Sequence, residues 1–123
     1  MNERGNTRRI AKFFNATPGV MFRAMPDTGG ITHKKPYDAF IIFRGRHISV
    51  ECKTGYAELE DHQKEALKED AAAGAIKLII RYSSGGALFI FELGRADFSV
   101  CLTWRDMTDP AKIEAMLSEV VPQ

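Results

Sequence analysis

The chain has 123 residues, 45% hydrophobic and 27% charged, the balance of a globular domain long enough to bury its own core. Two cysteines, Cys52 and Cys101, form no disulfide framework and have no metal-ligand spacing. The longest apolar runs, such as 39–43, are strand-sized and far too short to span a bilayer. The N-terminus is polar and lacks an apolar h-region, so the expectation is a cytoplasmic protein with no secretory leader. A net charge of +1 conceals an asymmetry: residues 1–54 carry 10 Lys+Arg against 4 Asp+Glu, and residues 55–123 carry 7 against 12. The first part is therefore at +6 and the second at −5, and a basic half points to a phosphate-rich polymer as partner.

In chain order, residues 7–14 place Ile10, Phe13 and Phe14 at helical spacing, with Arg8, Arg9 and Lys12 on the polar side. Thr17-Pro18-Gly19 ends this helix; 20–25 reads as a short strand, and 26–30 as a loop. Residues 38–43 and 47–53 read as a β-hairpin around Arg44-Gly45-Arg46. With Gly45 first in a two-residue type II′ turn, Arg44 pairs with His47 and Asp38 lies opposite Lys53. A three-residue loop instead sets Asp38 against Cys52. Residues 58–73 form a helix carrying Leu59, Gln63, Ala66 and Leu67 on one side, capped by Gly74. Strands at 76–82 and 87–93 follow, then an apolar tail with Trp104 and a last helix near 111–120. The order α-β-β-β-α-β-β-α predicts one α/β domain over 1–123, with a mixed central sheet flanked by helices.

The chemistry concentrates at Pro36-Tyr37-Asp38 and Glu51-Cys52-Lys53. In the expected register Asp38, Glu51 and Lys53 share one sheet face, because side chains alternate with period two. Two carboxylates are suitable ligands for a hard divalent cation such as Mg²⁺, and a lysine beside them can orient water or stabilise charge on a phosphate. Cys52 alternates with them and should pack on the opposite face. Read without this context, Asp38 merely begins a strand and Glu51 and Lys53 are a surface pair. Gln63, one turn after Leu59, faces the same side of its helix and can reach the metal water or Lys53; the alternative is a solvated glutamine. His33 and His47 lack ligand spacing, so zinc is not expected.

These motifs in this order, with Asp61-His62-Gln63 after Glu51-Cys52-Lys53, resemble the PD-(D/E)xK nuclease superfamily. Within it the chain is most similar to Holliday-junction resolvases of the archaeal and RecU kinds, over roughly residues 7 to 93. The resemblance implies a restriction-endonuclease-like fold and a metal-dependent endodeoxyribonuclease that leaves a 5′-phosphate. It implies Mg²⁺, with Mn²⁺ able to substitute, held by Asp38, Glu51 and the backbone carbonyl of Cys52, with Lys53 and Gln63 completing the catalytic set. It implies branched or double-stranded DNA as substrate, a role in recombination and repair, and a homodimer making two symmetric cuts. Many resolvases carry a metal-binding glutamate in the first helix; here Arg8, Arg9 and Lys12 occupy it, and Glu3 is the only acid near.

Arg8, Arg9, Lys12, Arg23, Lys34, Lys35, Arg44 and Arg46 are candidates for phosphate contacts, which bind the backbone without reading sequence. Tyr37 and Tyr56 flank the acids as packing or base-stacking residues. Two other functions fit the same residues: a flap or general DNA-processing nuclease, and a DNA-binding module without catalysis. A membrane partner is not expected.

Overall fold

One face of the sheet is apolar throughout, and the other carries its charged residues among Phe40, Ile42, Ile79 and Ile90. The computed structural model describes residues 3–25, 37–54, 61–74, 76–82, 88–93 and 99–121. Its elements are α1 (Glu3–Asn15), β1 (Val20–Ala24), β2 (Ala39–Phe43), β3 (Arg46–Thr54), α2 (Asp61–Ala72), β4 (Ile76–Tyr82), β5 (Leu88–Leu93), β6 (Ser99–Thr103), α3 (Trp104–Met107) and α4 (Pro110–Val120). The strands lie side by side in sequence order in one six-stranded sheet. Only β3 and β4 run parallel; every other pair is antiparallel. A parallel pair needs a crossover, and α2 supplies it while packing against β4.

The core lies between one sheet face and the helices α1 and α4. Phe22, Ala39, Ile41, Ile48, Val50, Leu78, Ile80, Phe89 and Phe91 meet Ile10 and Phe14 of α1 and Ile113, Met116 and Leu117 of α4. Phe14 stacks on Phe22 with 5.6 Å between ring centroids, and its edge meets Phe91 at 6.2 Å. The corner after α1 is locked by Asn15, whose Oδ1 accepts from Phe22 N–H at 2.8 Å and whose Nδ2 donates to Phe22 O at 3.1 Å.

The structure differs from the sequence expectation at three places. The tail contains a sixth strand and a short helix besides the expected last helix. Their signal is weak because Leu102 is the only buried residue of the five-residue β6, and α3 is one turn long. The tail closes the core of this chain: Leu102, Met107, Ile113, Met116 and Leu117 belong to the core, with Val100 and Trp104 packed against it.

The hairpin turn is Arg44-Gly45, with φ of 53° and 73°, and Phe43 pairs with Arg46. Two left-handed residues are the condition of a type I′ turn, so Gly45 stands second and not first. The register is therefore two residues away from the expected one. A two-residue slip leaves every side chain on its face, so the period-two pattern does not discriminate between the registers.

Asp38 is the third place. Ala39 stands opposite Val50, yet Asp38 N–H also donates to Val50 O at 2.9 Å. Two residues of one strand opposing one of the other is a β-bulge, a device that re-aims a side chain. Asp38 thus sits level with the segment 50–52 and not opposite Lys53. No helix among the described residues is long and apolar enough to cross a membrane.

Candidate active site

The polar face carries charge where a sheet interior ordinarily does not. On β3, Ser49, Glu51 and Lys53 are 1%, 0% and 7% exposed, and Lys77 on β4 is 6% exposed. They lie on β3 and β4, the two central strands, and α2 packs against β4. The register sets Ser49 beside Lys77, Glu51 beside Ile79 and Lys53 beside Arg81. Arg81 Nε in turn donates to Glu92 Oε1 of β5 at 3.0 Å, a half-buried ion pair.

Asp38 reaches this centre from the bulge. Its Oδ2 accepts from the Cys52 backbone N–H at 2.8 Å, supplying the acceptor that a regular continuation of β2 would have offered. Along a strand the N–H and C=O of one residue point to the same neighbour. The Cys52 carbonyl therefore points to the side where Asp38 stands. The Cys52 thiol points the other way, into the core at 1% exposure. Its pKa is pushed up to about 12, first by burial, against the hydrogen bonds of Tyr82 and Thr7, and further by the negative charges of Asp38 and Glu51. Both carboxylates thus lie close enough to Cys52 for their charge to act on it.

The fold brings Asp38, Glu51 and Lys53 together around the end of β3, despite the changed register. Asp38 and Glu51 offer carboxylate oxygens and Cys52 a carbonyl oxygen. This hard, oxygen-only donor set fits a Mg²⁺-like cation that keeps some of its waters. Among the described residues no group of three or more His, Cys, Asp or Glu side chains gathers as a metal site, so the carbonyl matters. Gln63 lies in the first turn of α2, but its side chain is outside the described residues, as are those of Glu3 and His62.

The basic residues are more dispersed than a single patch. Arg23 sits exposed on β1, paired with Phe40 and hence on the polar face. Arg44 and Arg46 are at the hairpin tip, with the Arg44 guanidinium 4.7 Å from the Phe43 ring centroid. Arg8, Arg9 and Lys12 are exposed on α1 in the opposite layer, with Arg9 over the Trp104 ring at 5.2 Å. Lys34, Lys35, His33 and Tyr56 lie outside the described residues.

Two groups escaped the sequence reading. His47 stacks on Phe40 at 5.1 Å and meets the Tyr37 ring edge-on at 5.8 Å, an aromatic cluster beside Asp38 on the same face. Lys77 and Arg81 belong to the polar face as well. Their signal was legible: in Ile76-Lys77-Leu78-Ile79-Ile80-Arg81 the two charges stand four apart, on one face of a strand.

The fold is shared with a known protein. Among solved structures the chain is similar to Hjc, a Holliday junction resolvase from the archaeal hyperthermophile Archaeoglobus fulgidus, with a TM-score of 0.53 and 13% identity over 85% of this chain and 89% of that one. No protein-family model and no curated protein sequence matches.

Proposed function

We propose that this protein is a metal-dependent DNA endonuclease of the PD-(D/E)xK kind that resolves Holliday junctions as a homodimer in the cytoplasm. The observation that carries the reading is the meeting of Asp38, re-aimed by a bulge, with buried Glu51 and Lys53 on a resolvase-like fold. Asp38, Glu51 and the Cys52 carbonyl would hold the cation, Mg²⁺ with Mn²⁺ as substitute. When bound, such an ion polarises a phosphate and acidifies a water.

The side chains supply the rest. Asp38 and Glu51 fix where a phosphodiester approaches. Lys53, next to Glu51 on the same face, stabilises charge as the water oxygen bonds to phosphorus and the P–O3′ bond breaks. The 3′-oxygen takes up a proton and a 5′-phosphate remains. Gln63 is assigned to orienting the attacking water. Arg23 and the arginines of the hairpin tip extend the contact to DNA backbone, and two protomers deliver the paired cuts a four-way junction requires.

The test is cleavage of a labelled four-way junction, with duplex and flap controls, in Mg²⁺ and in EDTA. Symmetric junction cutting is expected, lost in EDTA and reduced on the order of 10²-fold or more by Asp38→Asn and by Lys53→Ala. Preferential cutting of flaps or duplex would move the function to general DNA processing. Junction binding without any cutting would overturn the enzyme and leave a binding module.

A further inference from the structure

Beside Asp38 the sheet carries a group of rings that the proposed chemistry does not use. His47 of β3 stacks on Phe40 of β2, with centroids 5.1 Å apart and planes 16° from parallel. Tyr37 meets the imidazole at 5.8 Å with planes 68° apart, and its hydroxyl lies 3.5 Å from His47 Nε2. Tyr37 thus takes the edge of the imidazole, and Phe40 takes one face. His47 is exposed while Tyr37 and Phe40 are half-buried, and among the described residues no third ring meets His47. The outer face of the imidazole can continue the stack that Phe40 begins.

The placement of these rings selects a ligand. His47 and Glu51 are four residues apart on β3, so the rings stand about 13 Å from Glu51 on the same sheet face. Arg23, exposed and paired with Phe40, adds a cation to that face, and Arg44 and Arg46 stand at the hairpin tip just before His47. A flat π-surface flanked by arginines matches a nucleotide, which joins a flat base to an anionic phosphate. In a duplex both faces of a base are covered by its neighbours, so only an unpaired or splayed base can stack on a side chain. We propose that Tyr37, Phe40 and His47 form a stacking platform for an unpaired nucleobase of DNA, favouring substrates with an open base near the cut over intact duplex. This role rests on the reading of the chain as a DNA nuclease, and it adds a feature of the substrate that the acids themselves do not sense.

The test is binding in EDTA, which prevents the expected cutting. Labelled single strand and blunt duplex are titrated with the full chain and followed by fluorescence anisotropy. His47→Ala is expected to weaken single-strand binding about tenfold, a loss typical of one stacked base, and to leave duplex binding as it was. His47→Phe keeps a stacking surface and should restore the affinity. A strand of abasic units should bind the wild type as weakly as the intact strand binds His47→Ala, and His47→Ala should bind it no more weakly still. The abasic arm leaves the protein untouched, so it decides even if a variant does not fold. Equal losses on single strand and duplex would make His47 a phosphate contact and overturn the proposal, as would a wild type indifferent to the missing bases. A shift of His47→Ala to a smaller species in sedimentation, with DNA binding unchanged, would make the cluster an interface between copies and also overturn it. Metal-dependent junction cutting that survives these failures keeps the nuclease and removes only the platform. Base-dependent binding by a wild type that cuts nothing in Mg²⁺ would keep the platform and refute the nuclease.

Discussion

Cys52 and its neighbours illustrate what a single position reveals. Strict alternation through Glu51-Cys52-Lys53 put the thiol on the core side and the charges on the other, and of the three only Cys52 joins the hydrophobic core. The same alternation could not reveal how Asp38 would be aimed, because a bulge is a backbone event with no residue type of its own. With its pKa near 12, Cys52 is protonated throughout the physiological range, and it is also sterically enclosed. Exposed Cys101 is therefore the site of modification under native conditions. Treatment with iodoacetamide at pH 8 should add one label per chain, found at residue 101 by mass spectrometry, and a second at residue 52 only after unfolding.

At the scale of elements, turns and caps carry what periodicity does not. Arg44 at φ 53° occupies a region where an L-residue is disfavoured by about 1–2 kcal/mol, and asparagine relieves part of that cost. Arg44→Asn gives an Asn-Gly type I′ turn and should raise stability by up to about 1 kcal/mol, read from chemical denaturation. The short α3 survives on its capping box: Thr103 Oγ1 accepts from Asp106 N–H at 3.1 Å and Asp106 Oδ2 from Thr103 N–H at 3.0 Å. Lys112 Nζ, 2.6 Å from Asp106 Oδ1, then the Thr103 groups, hold the Asp106 carboxyl down at about 2. A depressed carboxylate contributes stability above its ordinary value of 3.8, and that contribution disappears as pH falls toward 2. The pair is exposed, so the effect is small. Melting curves should place Asp106→Asn below the wild type at pH 5, with the gap closing by pH 2. The two-residue register error belongs to this scale as well, since turn type and not hydrophobic pattern decided it.

For the whole molecule, the division of the sheet into an apolar and a charged face explains which parts of the fold were legible. The apolar face announces itself through period-two and period-3.6 patterns, so α1, α4 and the first five strands were foreseeable. The sequence places Lys77 and Arg81 on one face of their strand, and the strand order adds that Lys77 lies beside Ser49, Arg81 beside Lys53, and Glu92 beside Ile79. The division also separates stability from chemistry. Ile113, fully buried from α4, lies on the far side of the sheet from the acids. Ile113→Ala should cost about 2–5 kcal/mol in denaturant unfolding while leaving the Mn²⁺ affinity of the folded protein unchanged.

The hydrogen bond from the Cys52 amide to Asp38 has a further consequence for kinetics. An aspartate free to rotate at a strand end would have to be captured in one rotamer each time a ligand arrived. Here the search is completed during folding, and the loss of side-chain freedom falls on the folding equilibrium and not on each turnover. Asp38 waits in place before anything binds, so a partner meets an acid whose direction the backbone has already chosen.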